Sequence, residues 1–232
     1  MDDARRALMM DDQVARILSL LSHELRSPLG VIRGYLGLLN QSGDTLPDLH
    51  RDAVKAALRA SDRAAELLAQ ASMLAQLQRS PDSIRLEPMA ADALFASAIE
   101  AVRFPADRPV HIERGPIPPG TIGADATRLR HALTSVASAV VRAQTRSNRV
   151  LATGDLHERD HAPGVRLRIV SAAAASNLTE APVDLSRGGL GLDLPIADFV
   201  IAVHGGHLAE LRDGDRIAGM VVWLPLAAKK GD

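Results

Sequence analysis

The stretch His23–Leu29, which reads HELRSPL, decides the fold of the first part of this 232-residue chain. It lies in an apolar repeat with alternating three- and four-residue steps, which is typical of one buried face of an amphipathic helix. The repeat consists of Val14, Leu18, Leu21, Leu25, Leu29, Ile32, Leu36 and Leu39. His23 is two positions from both Leu21 and Leu25, so it lies about 200° from each around the helix axis. The spacing therefore predicts a solvent-facing imidazole, which is either a reactive group or an ordinary surface histidine.

This first helix is predicted to run from about Asp11 to Asn40. The polar residues that follow include Gly43, which suits a helix C-terminus. Pro28 has no backbone N–H to donate to the carbonyl four residues back, and its ring crowds that turn. We therefore expect the helix to bend just after His23.

A second long helix is predicted after the loop, capped by Thr45 or Asp48 and with Pro47 in its first turn. Its apolar repeat is mostly alanine and consists of Ala53, Ala57, Ala60, Ala64, Leu67, Ala71 and Leu74. Two long helices joined by a short loop form an antiparallel hairpin, and alanines permit close approach. A lone hairpin leaves apolar surface exposed. We expect two copies to bury it in a dimeric four-helix bundle, the alternative being that the hairpin packs on its own C-terminal half.

Composition excludes several classes of protein. The net charge of −1 gives no reason to expect a nucleic-acid or anionic-membrane partner, and aromatic residues make up only 2% of the chain. The absence of cysteine excludes disulfides, thiolate catalysis and cysteine-ligated zinc. No segment approaches the roughly 18 consecutive apolar residues of a membrane span. We expect a cytoplasmic protein.

Polar residues and a proline in Arg79–Ser83 interrupt the helical repeat and predict a domain boundary, giving domains 1–80 and 81–232. Beyond the boundary, the pattern predicts an α/β sandwich of helices over a mixed sheet, so the fold class is α+β. Strands are predicted at 84–89, 110–113, 121–122, 150–153, 165–170, 207–211 and 219–224. Helices are predicted at 91–102, 125–143 and 194–204, with Asp125 near the cap of the middle one.

The segment Leu18–Leu39 resembles the phosphoacceptor box of sensor histidine kinases: a histidine, an acidic residue, two further positions and a small hydroxyl residue before proline. The resemblance implies that His23 accepts a phosphoryl group and that Glu24 acts as acid/base. Neutral imidazole is nucleophilic near neutral pH, which suits this role. Ser27 shares the helix face of His23. In the family this position often holds threonine or asparagine that orients a water for dephosphorylation, so the serine leaves phosphatase activity open.

The order of elements in 81–232 resembles the ATP-binding domain of the same family. The helix that begins near Asp125 corresponds to one whose later asparagine holds magnesium. That position is Ala139, which offers no oxygen to a hard cation. The strand ending at Val170 should lead into two glycines and an aspartate that receives the adenine amino group. The chain has Ser171–Ala175, which reads SAAAA, in that place.

The remaining motifs of that domain are partly kept. The lid region is reduced to Asn177–Ser186 and has no aromatic residue, whereas Gly189 and Gly191 resemble a relic of the second glycine box. Asp193 stands where a glycine is expected; two like charges about 4 Å apart repel by roughly 4 kcal/mol at an effective dielectric of 20. His204 and the two glycines after it match the usual end of the next helix. We expect no bound cofactor and no metal site.

These features lead to the hypothesis of a pseudokinase that acts as a histidine phosphotransferase. His23 would carry a phosphoryl group to or from response-regulator aspartates, with magnesium supplied by the regulator and no ATP bound. The expected partners are receiver domains and a second copy of the chain. A separate sensor kinase is a further candidate, because only some twenty residues precede His23. One alternative is an ATP-dependent sensor histidine kinase with a divergent pocket that uses Arg142 and the retained glycines. Another is a non-catalytic binding module that regulates two-component signalling.

Overall fold

The computed structural model describes residues 25–41, 47–79, 84–104, 110–144, 147–174, 177–184 and 192–227. The chain divides into two compact units, Met1–Ser83 and Ile84–Asp232. None of the helices within the described residues combines the length and the apolar character needed to cross a membrane.

The first unit is a helical hairpin made of α1, residues 25–41, and α2, Asp48–Arg79. The Pro47 carbonyl accepts hydrogen bonds from the N–H groups of His50 at 2.9 Å and Arg51 at 3.1 Å. Pro47 therefore precedes the helix. Asp48 lies in the first turn, where its negative charge interacts favourably with the positive end of the helix dipole. The prediction that Asp48 is the cap was wrong by one residue, and Thr45 lies outside the described residues.

The second unit contains a six-stranded sheet with the order β2-β4-β5-β8-β7-β6. The strands are β2 His111–Arg114, β4 Arg149–Arg159, β5 Ala162–Ser171, β6 Thr179–Ala181, β7 His207–Asp213 and β8 Arg216–Pro225. Strands β2 and β4 are parallel, and all other neighbours are antiparallel. A separate antiparallel ribbon pairs β1, Glu87–Ala90, with β3, Thr121–Ala124. The mixed sheet expected from the sequence is confirmed.

Three helices pack against one another and cover one face of this sheet: α3 Ala91–Glu100, α4 Ala126–Ala143 and α5 Asp193–Val203. The side chains of Val165, Leu167 and Ile169 alternate along β5 and are at most 1% exposed beneath α4. Burial of such apolar side chains is the main source of stability in a fold of this size. The predicted helix positions are confirmed to within two residues at each end.

Strands β1, β5 and β8 begin three residues away from their predicted starts, and the structure differs most from the prediction at β4 and β6. Strand β4 is 11 residues long and is joined to β5 by a two-residue turn at Asp160 and His161, whose φ angles are 50° and 64°. Strand β6 was not predicted, and its three residues pair with β7. Both differences arise because cross-strand pairing, and not the local sequence pattern, stabilises these segments.

Candidate functional site

The phosphoacceptor segment begins just before the first described residue. His23 and Glu24 lie outside the described residues, so their predicted roles stay predictions. Ser27 lies on α1 and is exposed, as are Leu25 and Pro28 on either side of it. Residues 25–41 are helical, Pro28 included, and the bend predicted just after His23 stays a prediction because it begins outside the described residues. The hydroxyl of Ser27 is thus accessible to solvent on a helix surface.

Large apolar side chains remain uncovered along α1 in the single chain. These are Leu25 at 45% exposed, Val31 at 56%, Ile32 at 49%, Tyr35 at 67%, Leu38 at 61% and Leu39 at 46%. Soluble proteins seldom leave this many large apolar groups together in water, and such a patch marks an interaction surface. Helix α1 therefore presents a surface suited to another helix.

Helix α4 is fixed at its start by Asp125. The Asp125 carboxylate accepts hydrogen bonds from the Arg128 backbone N–H at 3.0 Å and from the Arg128 guanidinium at 2.7 Å. Burial alone would raise the pKa of Asp125, but these two bonds outweigh it and the pKa is lowered. The cap predicted from the sequence is confirmed.

A buried histidine ties the end of α5 to the start of α4. The backbone N–H of Asp125 donates to Nε2 of His204 at 3.0 Å, and Nδ1 of His204 lies 2.7 Å from the Val200 carbonyl. Because Nε2 accepts, the proton lies on Nδ1 and is donated to Val200. Burial lowers the pKa of His204, which favours this neutral tautomer. His204 thus has a structural role in fixing the two helices.

The position that the resemblance assigns to a magnesium ligand lies inside the core. Ala139 is 3% exposed on α4, between Val136 and Val140, which are at most 1% exposed. Its methyl group offers no electron pair to a cation. Within the described residues, no group of three or more histidine, aspartate or glutamate side chains is arranged to hold a metal.

The position that the resemblance assigns to adenine recognition ends in a tight turn. The Ala174 N–H donates to the Ser171 carbonyl at 3.0 Å, and the Ala172 N–H donates to the Arg149 carbonyl at 3.0 Å. A cavity of about 130 Å³ lies beside Ser171 and Ala143, small compared with the roughly 300–1,000 Å³ of typical ligand pockets. Neither Ser171 nor Ala139 supplies a carboxylate or carboxamide, so these residues do not fit a magnesium–nucleotide complex of the kind that the resemblance implies.

Other residues of the predicted nucleotide region are dispersed or outside the described residues. Arg142 is exposed near the end of α4, and Asp193 lies in the first turn of α5. Gly189 and Gly191 fall outside the described ranges. Of the site residues predicted from the sequence, the structure describes Ser27 on the hairpin. In the second unit, the described residues do not form one binding site.

The reduced lid region is used to extend the sheet. Residues 179–181 form β6, and the segment after it is held by Glu210, whose carboxylate accepts the Asp184 N–H at 3.2 Å. Glu210 is 1% exposed and is paired with the Arg212 guanidinium at 2.8 Å. A charge buried to this degree is stable only when it is paired and hydrogen-bonded. The segment is thus anchored to the edge of the sheet.

Sequence reasoning missed a charged network on the opposite face of the sheet. Arg166 on β5 donates to Asp155 on β4 through Nε at 3.2 Å and a terminal nitrogen at 2.8 Å, and Arg168 approaches the same carboxylate at 3.6 Å. The alternation VRLRI in β5 was the available signal, because every second residue of a strand faces the same side.

Comparisons with known proteins agree with this architecture. Residues 13–80 match the family described as His Kinase A (phospho-acceptor) domain. The crystal structure of full-length ShkA in complex with AMPPNP superimposes with a TM-score of 0.63 at 24% identity, covering 93% of this chain and 47% of that one. The histidine kinase AdeS of Acinetobacter baumannii superimposes with a TM-score of 0.55 at 15% identity, covering 89% of this chain and 98% of that one. The search of curated proteins found no match.

The chain spans about half the length of ShkA, so the likeness to that structure concerns the fold. The family match covers the hairpin, and the structural likeness extends over the sheet unit as well. The hairpin followed by an α/β sheet unit is the arrangement expected from the resemblance. The chain thus carries a His Kinase A phospho-acceptor domain and has the fold of sensor histidine kinases, the family that its sequence indicated.

Proposed function

We propose that this protein is a histidine phosphotransfer protein of a two-component phosphorelay. His23 takes a phosphoryl group from the aspartyl phosphate of one response regulator and passes it to the aspartate of another, without using ATP. The protein acts in the cytoplasm, where receiver domains are its partners, and a separate sensor kinase provides the input.

One combination of observations supports this proposal. Residues 13–80 match a phospho-acceptor domain, whereas the two positions assigned to magnesium and adenine hold Ala139, 3% exposed, and Ser171. A methyl group replaces an oxygen ligand of magnesium, and a hydroxyl replaces the carboxylate that would bind the adenine amino group. Neither of these two contacts can therefore form as in the family. An acceptor without a means of charging itself requires a phosphorylated protein as donor.

The transfer needs only groups that the two proteins supply. A neutral imidazole nitrogen of His23 forms the N–P bond while the P–O bond of the aspartyl phosphate breaks and aspartate leaves as a carboxylate. Glu24 receives the proton released from the imidazole. A magnesium ion held by the regulator would balance the charge on the phosphoryl oxygens, and the hairpin holds donor and acceptor in line. The reverse sequence charges the second regulator.

A homodimer is part of the proposal. The uncovered apolar residues of α1 are suited to a second copy of the hairpin, and two hairpins together form a four-helix bundle. The bundle leaves the His23 face exposed, since that face lies opposite the apolar repeat. Receiver domains dock there.

Transfer of label from phosphorylated receivers tests the relay. A panel of receiver domains charged with [³²P]acetyl phosphate is mixed with the full chain, and acid-labile label on the chain is measured. We expect label that disappears in His23→Gln and persists in His50→Gln, which alters an exposed histidine on α2. If no receiver in the panel labels the native chain, or if His23→Gln is labelled equally, the relay is wrong and a binding module is the better description.

The second candidate is an ATP-dependent histidine kinase. It is favoured by the likeness to ShkA, whose crystal structure contains AMPPNP, and by Arg142, which is exposed beside the nucleotide region. Titration calorimetry with Mg-ATP and incubation with [γ-³²P]ATP separate the two candidates. Micromolar affinity together with label on His23 would establish the kinase in place of the relay.

A further inference from the structure

The face of the sheet opposite α3–α5, called the outer face from here on, carries an apolar cluster. Ala209, Leu211 and Val221 are at most 4% exposed, and the partly buried Val170 and Leu178 pack against them. A sheet face that no described helix of its own unit covers is usually polar and solvated. Leu178 precedes β6, so the segment that extends the sheet also covers part of this face.

A cavity of about 330 Å³ opens on the outer face beside this cluster. Its apolar lining includes Leu151, Leu178 and Leu211, and its polar lining includes Thr153, Arg166, Arg168 and Glu180. Leu151 is 38% exposed, an unusual environment for a large apolar strand residue. A volume of this size is at the lower end of the range for small-molecule sites, and its wall combines apolar side chains with charged and hydroxyl groups.

The two arginines of the cavity differ in their engagement. Arg166 holds Asp155 with two hydrogen bonds, at 2.8 and 3.2 Å, and lies 3.9 Å from Glu180. Arg168 reaches the same Asp155 only at 3.6 Å, beyond hydrogen-bond distance. Within the described part of the chain its guanidinium donates no hydrogen bond, although its side chain is 44% exposed. Arg168 is therefore ion-paired with Asp155 but keeps hydrogen-bond donors that an anion in the cavity can use.

We propose that the outer-face cavity binds a small amphipathic carboxylate. The planar fork of Arg168 donates two parallel hydrogen bonds to the carboxylate, the geometry that arginine favours. The apolar body of the ligand lies against Leu151, Leu178 and Leu211. This site shares no residue with the phosphoacceptor segment, so it stands or falls independently of the phosphorelay.

The charged groups at the cavity are Arg166, Arg168, Asp155 and Glu180, and among them only Arg168 can take up a further carboxylate by hydrogen bonds. Asp155 accepts two hydrogen bonds from Arg166, and Glu180, which also lines the cavity 3.9 Å from Arg166, repels a second anionic group. One open guanidinium thus matches one carboxylate. Binding also covers Leu178 and so stabilises the pairing of β6 with β7, which extends over only three residue pairs.

Octanoate is the probe for this proposal, added to the full chain and followed by methyl NMR and calorimetry. We expect saturable one-to-one binding with shifts at the methyl groups of Leu151, Val170 and Leu178, and none at Leu129 in the α4 core. Acetate, which lacks the chain, and octanol, which lacks the charge, should bind at least tenfold more weakly. Absence of saturation, or shifts confined to other surfaces, would overturn the proposal.

A matched pair of variants tests the role of the guanidinium. Arg168→Gln should weaken octanoate binding at least tenfold, and Arg168→Lys should restore part of it. Arg130→Gln, which alters an exposed arginine of α4 on the other side of the sheet, should bind as the native chain does. Equal binding by Arg168→Gln and the native chain would overturn the proposal. If Arg168→Gln does not fold, the octanoate-induced methyl shifts of the native chain still decide whether the cavity binds a carboxylate.

Discussion

The backbone N–H of Asp125 donates a 3.0 Å hydrogen bond to Nε2 of His204, which is 3% exposed. The same imidazole is bonded to the Val200 carbonyl through Nδ1 at 2.7 Å. One ring thus satisfies a backbone donor at the start of α4 and a backbone acceptor in the last turn of α5. Only the neutral Nδ1–H tautomer makes both bonds, so the junction between the two helices depends on protonation.

We predict that acid weakens this junction. Burial lowers the pKa of His204 below its usual 6.5, so the unfolded chain binds a proton that the folded chain resists. The contribution to stability is therefore complete above about pH 6.5 and is lost as the pH falls from there through the lowered pKa. Urea midpoints between pH 8 and 5 measure it, and His204→Gln should flatten the slope. Identical slopes in the two proteins would show that His204 does not titrate in this way.

Ala139 provides a test of the nucleotide region. Ala139→Asn introduces an oxygen ligand but places a carboxamide among apolar neighbours, at a cost of about 1–3 kcal/mol by mutational measures. We expect a lower unfolding temperature and no gain of Mg-ATP binding by calorimetry. Ser138→Asn, one residue earlier and half-buried, is the control and should change stability less. A variant of Ala139 that binds Mg-ATP would mean that the rest of the nucleotide pocket is intact.

Gly219 is required by the packing of two strands. A methyl group added there would meet the Ile169 carbonyl oxygen and the Val170 backbone far inside van der Waals contact. Because backbone atoms of a central strand move only with the sheet, Gly219→Ala should destabilise the protein by roughly 1–3 kcal/mol. Gly123→Ala is the control, since its added methyl would lie 3.6 Å from Leu86, an ordinary contact. Thermal unfolding of both variants measures the difference, and equal stability would contradict the prediction.

The proposed homodimer depends on the apolar surface of α1. Ile32→Glu places a charge at a position that is 49% exposed in the single chain and covered in the bundle. Burial of an unpaired carboxylate is strongly unfavourable, so we expect monomers by light scattering at micromolar concentration. Asn40→Glu adds the same charge to a polar, exposed position and should leave the dimer intact. A dimer that persists in Ile32→Glu would exclude this helix face as the contact.

Much of the fold follows from short-range patterns in the sequence. The apolar repeat of α1, the capping aspartate of α4 and the alternation in β5 each reflect one periodicity or one local hydrogen bond. Such features depend on residues within a few positions of each other. They were therefore predictable without knowing what each element packs against.

The features that were missed depend on contacts distant in sequence. Strand β6 pairs Thr179 with Arg212, across more than thirty residues, and its own sequence has little strand character. The turn at Asp160 and His161 has both φ angles positive but lacks the Asn-Gly signal of such hairpins. The outer-face network joins β4, β5 and β6, so its charges come together only once the strand order is known.

The two outermost strands of the sheet, β2 and β6, are four and three residues long and carry charged side chains. Glu113 on β2 is held by Arg149 through two hydrogen bonds of 2.6 and 2.7 Å. Short, charged edge strands of this kind offer a neighbouring polypeptide few unpaired backbone groups with which to form a further strand. At high concentration the molecule should consequently resist fibril-like stacking.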